Sequence, residues 1–383
     1  MLKLDKLKLL HAIRGFAAFY VVVYHAKYVL WCGGAEYLRT YPRATWHIGT
    51  YLVFALDMLS SAGLQMVIMF FVLSGFFIAY SFEKNRQTPF DFFINRIIRI
   101  YVPYLGSVVL GVAVLAFVHI YYPDLLHLHT REFNDRLTLA YENQTWSNFF
   151  RSLLFLKNGE YIGCNYAYWS LLYEGMFYLI VPIVILHRRA YFFTAMALFV
   201  IGSIRGWSSR YGYISNFVFN LNLYFAAGAF LYDYLPDIKE RIQYRPMLRL
   251  ALMGMILLLS GMMIVLKAAG MKDHLPNVLA GIICILLIIL FFCYDFSHNL
   301  FISTIKKLGE VSFSLYLIHI PVLIFTYSVL AHITGKTTFY RHIYPAGVVL
   351  AVPVSFIFYY LIEQPSTRLI RWVKKKNKNH KLA

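Results

Sequence analysis

Residues Leu10 to Trp31 read LHAIRGFAAFYVVVYHAKYVLW. The run is long and apolar enough to cross a bilayer. It nevertheless carries Arg14, His25 and Lys27, which lipid normally excludes. At roughly 100° and 1.5 Å per residue, Arg14 and His25 share nearly one helix face, about 16 Å apart along the axis. Lys27 points about 200° away from His25 by the same wheel, and is expected to snorkel to the outer interface. An ionisable pair inside a span is a functional-site hypothesis by default.

Composition extends this reading to the whole chain. Of 383 residues, 60% are hydrophobic and only 14% charged, too apolar for a soluble domain of this size. The net charge is +18. In a soluble protein that would suggest nucleic acid. Here Lys and Arg gather at the ends of apolar runs, so anionic lipid headgroups are the expected partners and nucleic acid is not. The fold class expected is therefore all-α, a polytopic transmembrane bundle of about ten spans. They fall near 10–31, 59–81, 101–122, 166–187, 190–204, 213–232, 248–268, 275–294, 308–331 and 342–362. With both termini cytoplasmic, the inner segments carry nearly twice the Lys and Arg of the outer ones, as the positive-inside rule requires. Residues 1–372 make one integral-membrane domain, and 373–383 a basic cytoplasmic tail. The longest non-spanning segment is the outer loop 123–165, expected to roof the outer mouth. Within it, Trp146 to Leu156 has the pattern of an interfacial helix. Cys32 and Cys164 both fall outside by this topology, which allows a disulfide. No cysteine spacing suggests a metal site; His127 and His129 could ligate a metal, but without further clustered ligands a solvated loop is the expected reading.

Polar groups recur inside the apolar runs. Ser74 and Gly75 interrupt FFVLSGFF (70–77), where small residues allow a neighbouring helix, or a substrate, to come close. Arg96 and Arg99, in NRIIR, share a helix face; they suit either a positive-inside anchor or a phosphate clamp. In YWSLLYEGMFY (168–178), Ser170 and Glu174 share a face, and Glu174 has no neighbouring Lys or Arg to neutralise it. In GEVSFSLYLIH (309–319), Tyr316 and His319 share a face. Glu363 precedes a helix-ending Pro365 and is expected to pair locally, in a structural role. Trp169 and its aromatic neighbours near the outer mouth suit sugar stacking, or equally an aromatic belt.

Taken in order, Arg14 and His25, FFVLSGFF, NRIIRIYVPY, YWSLLYEGMFY, GEVSFSLYLIH and the closing EQP resemble the integral-membrane acyltransferase-3 family, over residues 10 to about 368. The resemblance implies acyl transfer, usually of acetyl from acetyl-CoA, to hydroxyls of cell-surface glycans or lipid-linked sugars in a bacterial inner membrane. By motif it makes His25 the catalytic histidine and Arg14 its helix partner, with Arg96 and Arg99 on the acyl-CoA side together with Arg14. Glu174 becomes a third catalytic candidate. Ser74, Gly75, Trp169, Ser170, Tyr316 and His319 are the residues expected at the substrate. No permanently bound cofactor is expected; acetyl-CoA is a co-substrate. His25 is open to two roles, general base or transient acyl carrier. The competing reading is a proton-coupled transporter or flippase for a lipid-linked sugar, which also uses intramembrane Arg, His and Glu. It lacks the internal repeat many transporters show.

Overall fold

The structure is a computed structural model that describes residues 4–85, 88–207, 212–296 and 299–370. The basic tail 373–383, and Lys3 at the amino terminus, lie outside the described residues. Among those described, the regular elements are all helical, and the only extended pairing is an isolated bridge between Asn158 and Glu160. The α-helices run in order α1 (Leu4–Leu30), α2 (Gly34–Thr40), α3 (Ile48–Leu59), α4 (Gly63–Asn85), α5 (Pro89–Tyr121), α6 (Glu132–Glu142), α7 (Trp146–Leu153) and α8 (Trp169–Val184). They continue with α9 (Arg188–Arg205), α10 (Gly212–Asn216), α11 (Asn222–Ile242), α12 (Pro246–Ala268), α13 (His274–Cys293), α14 (Leu300–Glu310), α15 (Ser312–Thr334) and α16 (Pro345–Phe358).

Among the described residues, 9 stretches are long and apolar enough to cross a membrane. The protein is thus a multi-pass, all-α membrane protein. The two spans expected at 166–187 and 190–204 fall in one stretch of 40 residues, Tyr166–Arg205, interrupted by a tight turn at Ile185–His187. At 1.5 Å per residue it extends about 60 Å, twice the thickness of a bilayer core, so it has the length of two crossings. Proline opens α5, α12 and α16, where its missing N–H costs nothing. Proline also sits inside α5, α8, α11, α15 and α16, as membrane helices tolerate.

The chain divides into two compact units. The first comprises Met1–Tyr20, Met58–Pro89 and Tyr173–Glu310, and is organised by α4 lying along α11. Gly75 and Gly228 make that approach possible: a Cβ on either would collide with the backbone carbonyl of Phe225 or Val72 respectively. Phe71, Phe225 and Phe177 stack in series at 4.6 and 4.4 Å.

The second unit comprises Val21–Asp57, Phe90–Leu172 and Val311–Ala383. Its centre is α15, paired with α16. Apolar residues surround α15 on every side, and a helix patterned that way belongs in the interior. The start of α15 is held by Glu363, whose Oε2 accepts from the Ser314 backbone N–H at 3.1 Å and its hydroxyl at 2.5 Å. A buried carboxylate at a helix start satisfies an orphan donor and complements the dipole. The last carbonyls of α1 are satisfied likewise. Arg131 donates to Tyr28 O at 2.6 Å and Trp31 O at 2.7 Å, the expected preference of a cation for a helix carboxyl end. Lys27 departs from expectation. It is buried rather than snorkelling, and its ammonium donates to the Asp57 carbonyl. The Asp57 carboxylate is itself held by His342 and Tyr344, each at 2.7 Å. The helical wheel turned Lys27 away from His25, but that face meets protein instead of lipid. None of the cysteines is in a disulfide, Cys32 and Cys164 included.

Candidate active site

His25 stands on the last turns of α1, a face locked by the fully buried Ala26, Val29 and Leu30. Its Nδ1 lies 2.8 Å from Nε2 of His319, and the two rings are nearly parallel, with centroids 5.0 Å apart. His319 is fully buried in the middle of α15, and its Nδ1 faces the Leu315 carbonyl at 3.1 Å. A carbonyl can only accept, which puts the proton of neutral His319 on Nδ1 and leaves its Nε2 as an acceptor. His25 must then donate from Nδ1. Its proton occupies that nitrogen, and its Nε2 carries the lone pair. The tautomer of a half-buried histidine on α1 is therefore set by a backbone carbonyl on α15.

Aromatic rings close around His25. Tyr24 lies 5.2 Å away, and Tyr166 meets it edge-on at 5.1 Å. Tyr166 is placed by its neighbours. Asn165 donates to Leu317 O at 2.6 Å and accepts from the Ala167 N–H, capping the turn Tyr166–Tyr168. Tyr316 donates to Ala167 O at 2.8 Å and accepts from the Ser170 hydroxyl at 2.7 Å. Ser170 and Tyr316 thus pin this turn to α15. Over the Tyr166 ring lies the Arg136 guanidinium, 5.6 Å from its centroid. Arg136 pairs with Glu160 at 3.0 Å and Glu132 at 3.2 Å. Burial opposes the Arg136 charge, but Tyr28, Glu160 and Glu132 outweigh it and hold its pKa above the ordinary arginine value.

Glu160 is only 3% exposed and also faces Lys157 at 3.5 Å. It is delivered by Gly159, whose φ of +74° is left-handed, while buried Asn148 donates to the Glu160 carbonyl at 2.7 Å. A buried carboxylate needs such partners; stripping one away costs about 3–5 kcal/mol.

In the first unit, Glu174 accepts from the Ser74 hydroxyl at 3.4 Å and from Tyr178. The room expected beside Gly75 is taken by the Phe225 backbone. Arg14 is half-buried on the same uninterrupted helix as His25, in the part that belongs to the first unit. Arg96 and Arg99 sit near the start of α5; Arg96 is half-buried over the Phe92 ring at 5.3 Å, and Arg99 is exposed. Trp169 opens α8 and is half-buried. Sequence reasoning placed His319 at the substrate without its link to His25, and missed Arg136 altogether. The one available signal was the loop 123–165, too long for a connection and rich in paired charges.

A family model described as an acyltransferase domain matches residues 7–360. No curated protein and no solved structure matches the chain.

Proposed function

The chain belongs to the acyltransferase-3 family, and from that premise we propose a membrane O-acyltransferase that moves an acyl group, acetyl first among them, from acyl-CoA to a hydroxyl of a surface polysaccharide or lipid-linked sugar. Its setting is a bacterial inner membrane with both termini cytoplasmic. The observation that carries the reading is the His25–His319 hydrogen bond, because it leaves Nε2 of a half-buried histidine with a lone pair for chemistry.

In the proposed reaction, His25 Nε2 removes the proton of the acceptor hydroxyl. The oxygen attacks the thioester carbonyl, and the collapsing tetrahedral intermediate breaks the C–S bond. The CoA sulfur leaves with the proton that His25 carried. His319 supports the passing imidazolium through Nδ1, the part a carboxylate plays in a serine triad, here without a charge. If His25 instead takes the acyl group, the same Nε2 is the nucleophile and the same hydrogen bond orients it. On the cytoplasmic side, Arg96 and Arg99 are proposed to hold the phosphates of the donor, for which guanidinium groups are suited. Glu174, held by Ser74 and Tyr178, is proposed as a further charged group of the reaction. Ser170 and Tyr316 act by fixing the turn that carries Tyr166.

The test is acyl content of surface glycans, by mass spectrometry, in cells making the wild type or His25→Ala at equal abundance. Loss of the added acyl mass in the variant is expected. Undiminished acylation would falsify the role of His25.

A further inference from the structure

A cavity of about 430 Å³ opens within the first unit, lined by Tyr173, Asn216, Asn220, Asp273, His274 and Asn277 among others. We infer that it is a binding site for a neutral, polyhydroxylated ligand, namely one or two sugar rings of the acceptor. The inference rests on the acyltransferase reading only for that ligand's role as acceptor.

The lining is unusual for its surroundings. Tyr173, Asn216, Asn220 and Asn277 all belong to stretches apolar enough to span the membrane. A polar lining there is costly unless it serves a purpose. The backbone is also altered at this point: residues Phe217–Leu221 form a π-helical turn between α10 and α11. Asn220 lies within that turn and Asn216 immediately before it, and such bulges are frequent at functional sites.

The hydrogen bonds around the cavity run in one direction and stop short. Asn220 donates its amide to Asn216 Oδ1 at 3.0 Å, and Asn216 donates to the Tyr173 hydroxyl at 2.9 Å. The Asn220 carbonyl oxygen is left buried with no partner among the described residues. A buried acceptor left unmade is expensive, so a donor from outside the chain is the natural complement. On the facing side, Asn277 Oδ1 accepts from the fully buried Gln65 at 2.8 Å, which leaves the Asn277 amide hydrogens as donors. Asp273 uses Oδ1 for Lys267 at 2.6 Å and Gln65 at 3.3 Å. The cavity therefore offers both acceptors and donors, with tyrosine rings beside them. Among the described residues, neither lysine nor arginine lines it. An anionic ligand would face the Asp273 carboxylate, which Lys267 already pairs at 2.6 Å, with no further lysine or arginine among the described lining residues. A hydroxylated, uncharged ring uses every one of these groups. The volume lies within the range of small-ligand sites.

The test uses the full-length protein in nanodiscs with methyl glucoside, methyl galactoside, methyl mannoside and glucuronate as probes, read by saturation-transfer difference NMR. Neutral glycosides are expected to give signals in the wild type and in His25→Ala. Asn220→Leu or Asn277→Leu should weaken them about fivefold, the scale of one lost hydrogen bond to an uncharged group. Tyr213, exposed at the rim, supplies Tyr213→Ala as a variant with little burden on folding, expected to weaken them in the same sense. Absence of signal from all three neutral glycosides, equal signal in the variants, or stronger signal from glucuronate overturns the inference. Glycan acylation in cells is scored separately. A wild type that binds glycosides but acylates nothing defeats the proposed function and leaves the site standing.

Discussion

Replacing His319 with Phe tests the site at its narrowest point. Phe fills the volume of a fully buried ring in α15 but accepts no hydrogen bond. His25 then loses the acceptor 2.8 Å from its Nδ1. Two effects follow. The tautomer is no longer imposed, and a partly buried N–H is left unmade. The bond strengthens as His25 becomes an imidazolium, so its loss raises the transition state more than the ground state; at about 1.5–3 kcal/mol for a hydrogen bond to a charged group and about 1.4 kcal/mol per decade, the rate should fall about 10- to 150-fold. The loss stays below the ~10⁴-fold seen when a charged triad carboxylate is neutralised, because His319 is an uncharged partner. The assay is thiol release from acetyl-CoA in nanodiscs with acceptor present. The fall belongs in kcat, with the donor KM unchanged, since the bond lost is the one that orients His25. His319→Gln retains an acceptor oxygen and should recover activity to within about fivefold of wild type, one ordinary hydrogen bond's worth. A folded His319→Phe with wild-type kcat refutes the relay. Equal loss in both variants refutes it too, by showing that His319 acts only in packing.

Other consequences are open to direct measurement. Gly159→Ala forces a side chain onto a φ of +74° and brings its Cβ 2.9 Å from Asn143 Nδ2; stability should fall by about 1–2 kcal/mol, read by thermal unfolding in detergent, and an unchanged midpoint would show that the turn presenting Glu160 is not strained. Cys32 lies outside the spanning stretches, and burial pushes its thiol up to about 11. The thiolate fraction therefore climbs about tenfold per pH unit from 8 to 10, and maleimide labelling should climb with it; a rate that is already maximal at pH 8 contradicts the burial. Gly228→Leu drives a branched side chain into the Val72 carbonyl of α4 and is expected to abolish folded protein on size-exclusion chromatography, whereas Gly261→Leu, with open space around it, should not.

Much of this protein is legible in its sequence because the governing lengths are local. A bilayer demands runs of a fixed length, so the spans stand out by hydropathy, and even the pair at 166–187 and 190–204 reappears inside one 40-residue stretch. Helical periodicity is local as well, so Arg14 and His25 could be set on one helix, and Tyr316 and His319 on one face of another, from spacing alone. What spacing cannot supply is the partner of a polar group across space. His319 lies 294 residues from His25, and only the packing of α15 against α1 makes the two one hydrogen-bonded unit. Lys27 was correctly turned away from His25, but whether that face meets lipid or Asp57 depends on where α3 is carried. Arg136 reaches Tyr166 because α6, deep in the loop 123–165, docks at that point. Periodicity follows from the backbone and the solvent, which every helix shares. Pairing follows from the shapes of two particular surfaces, and those exist only once the chain has folded.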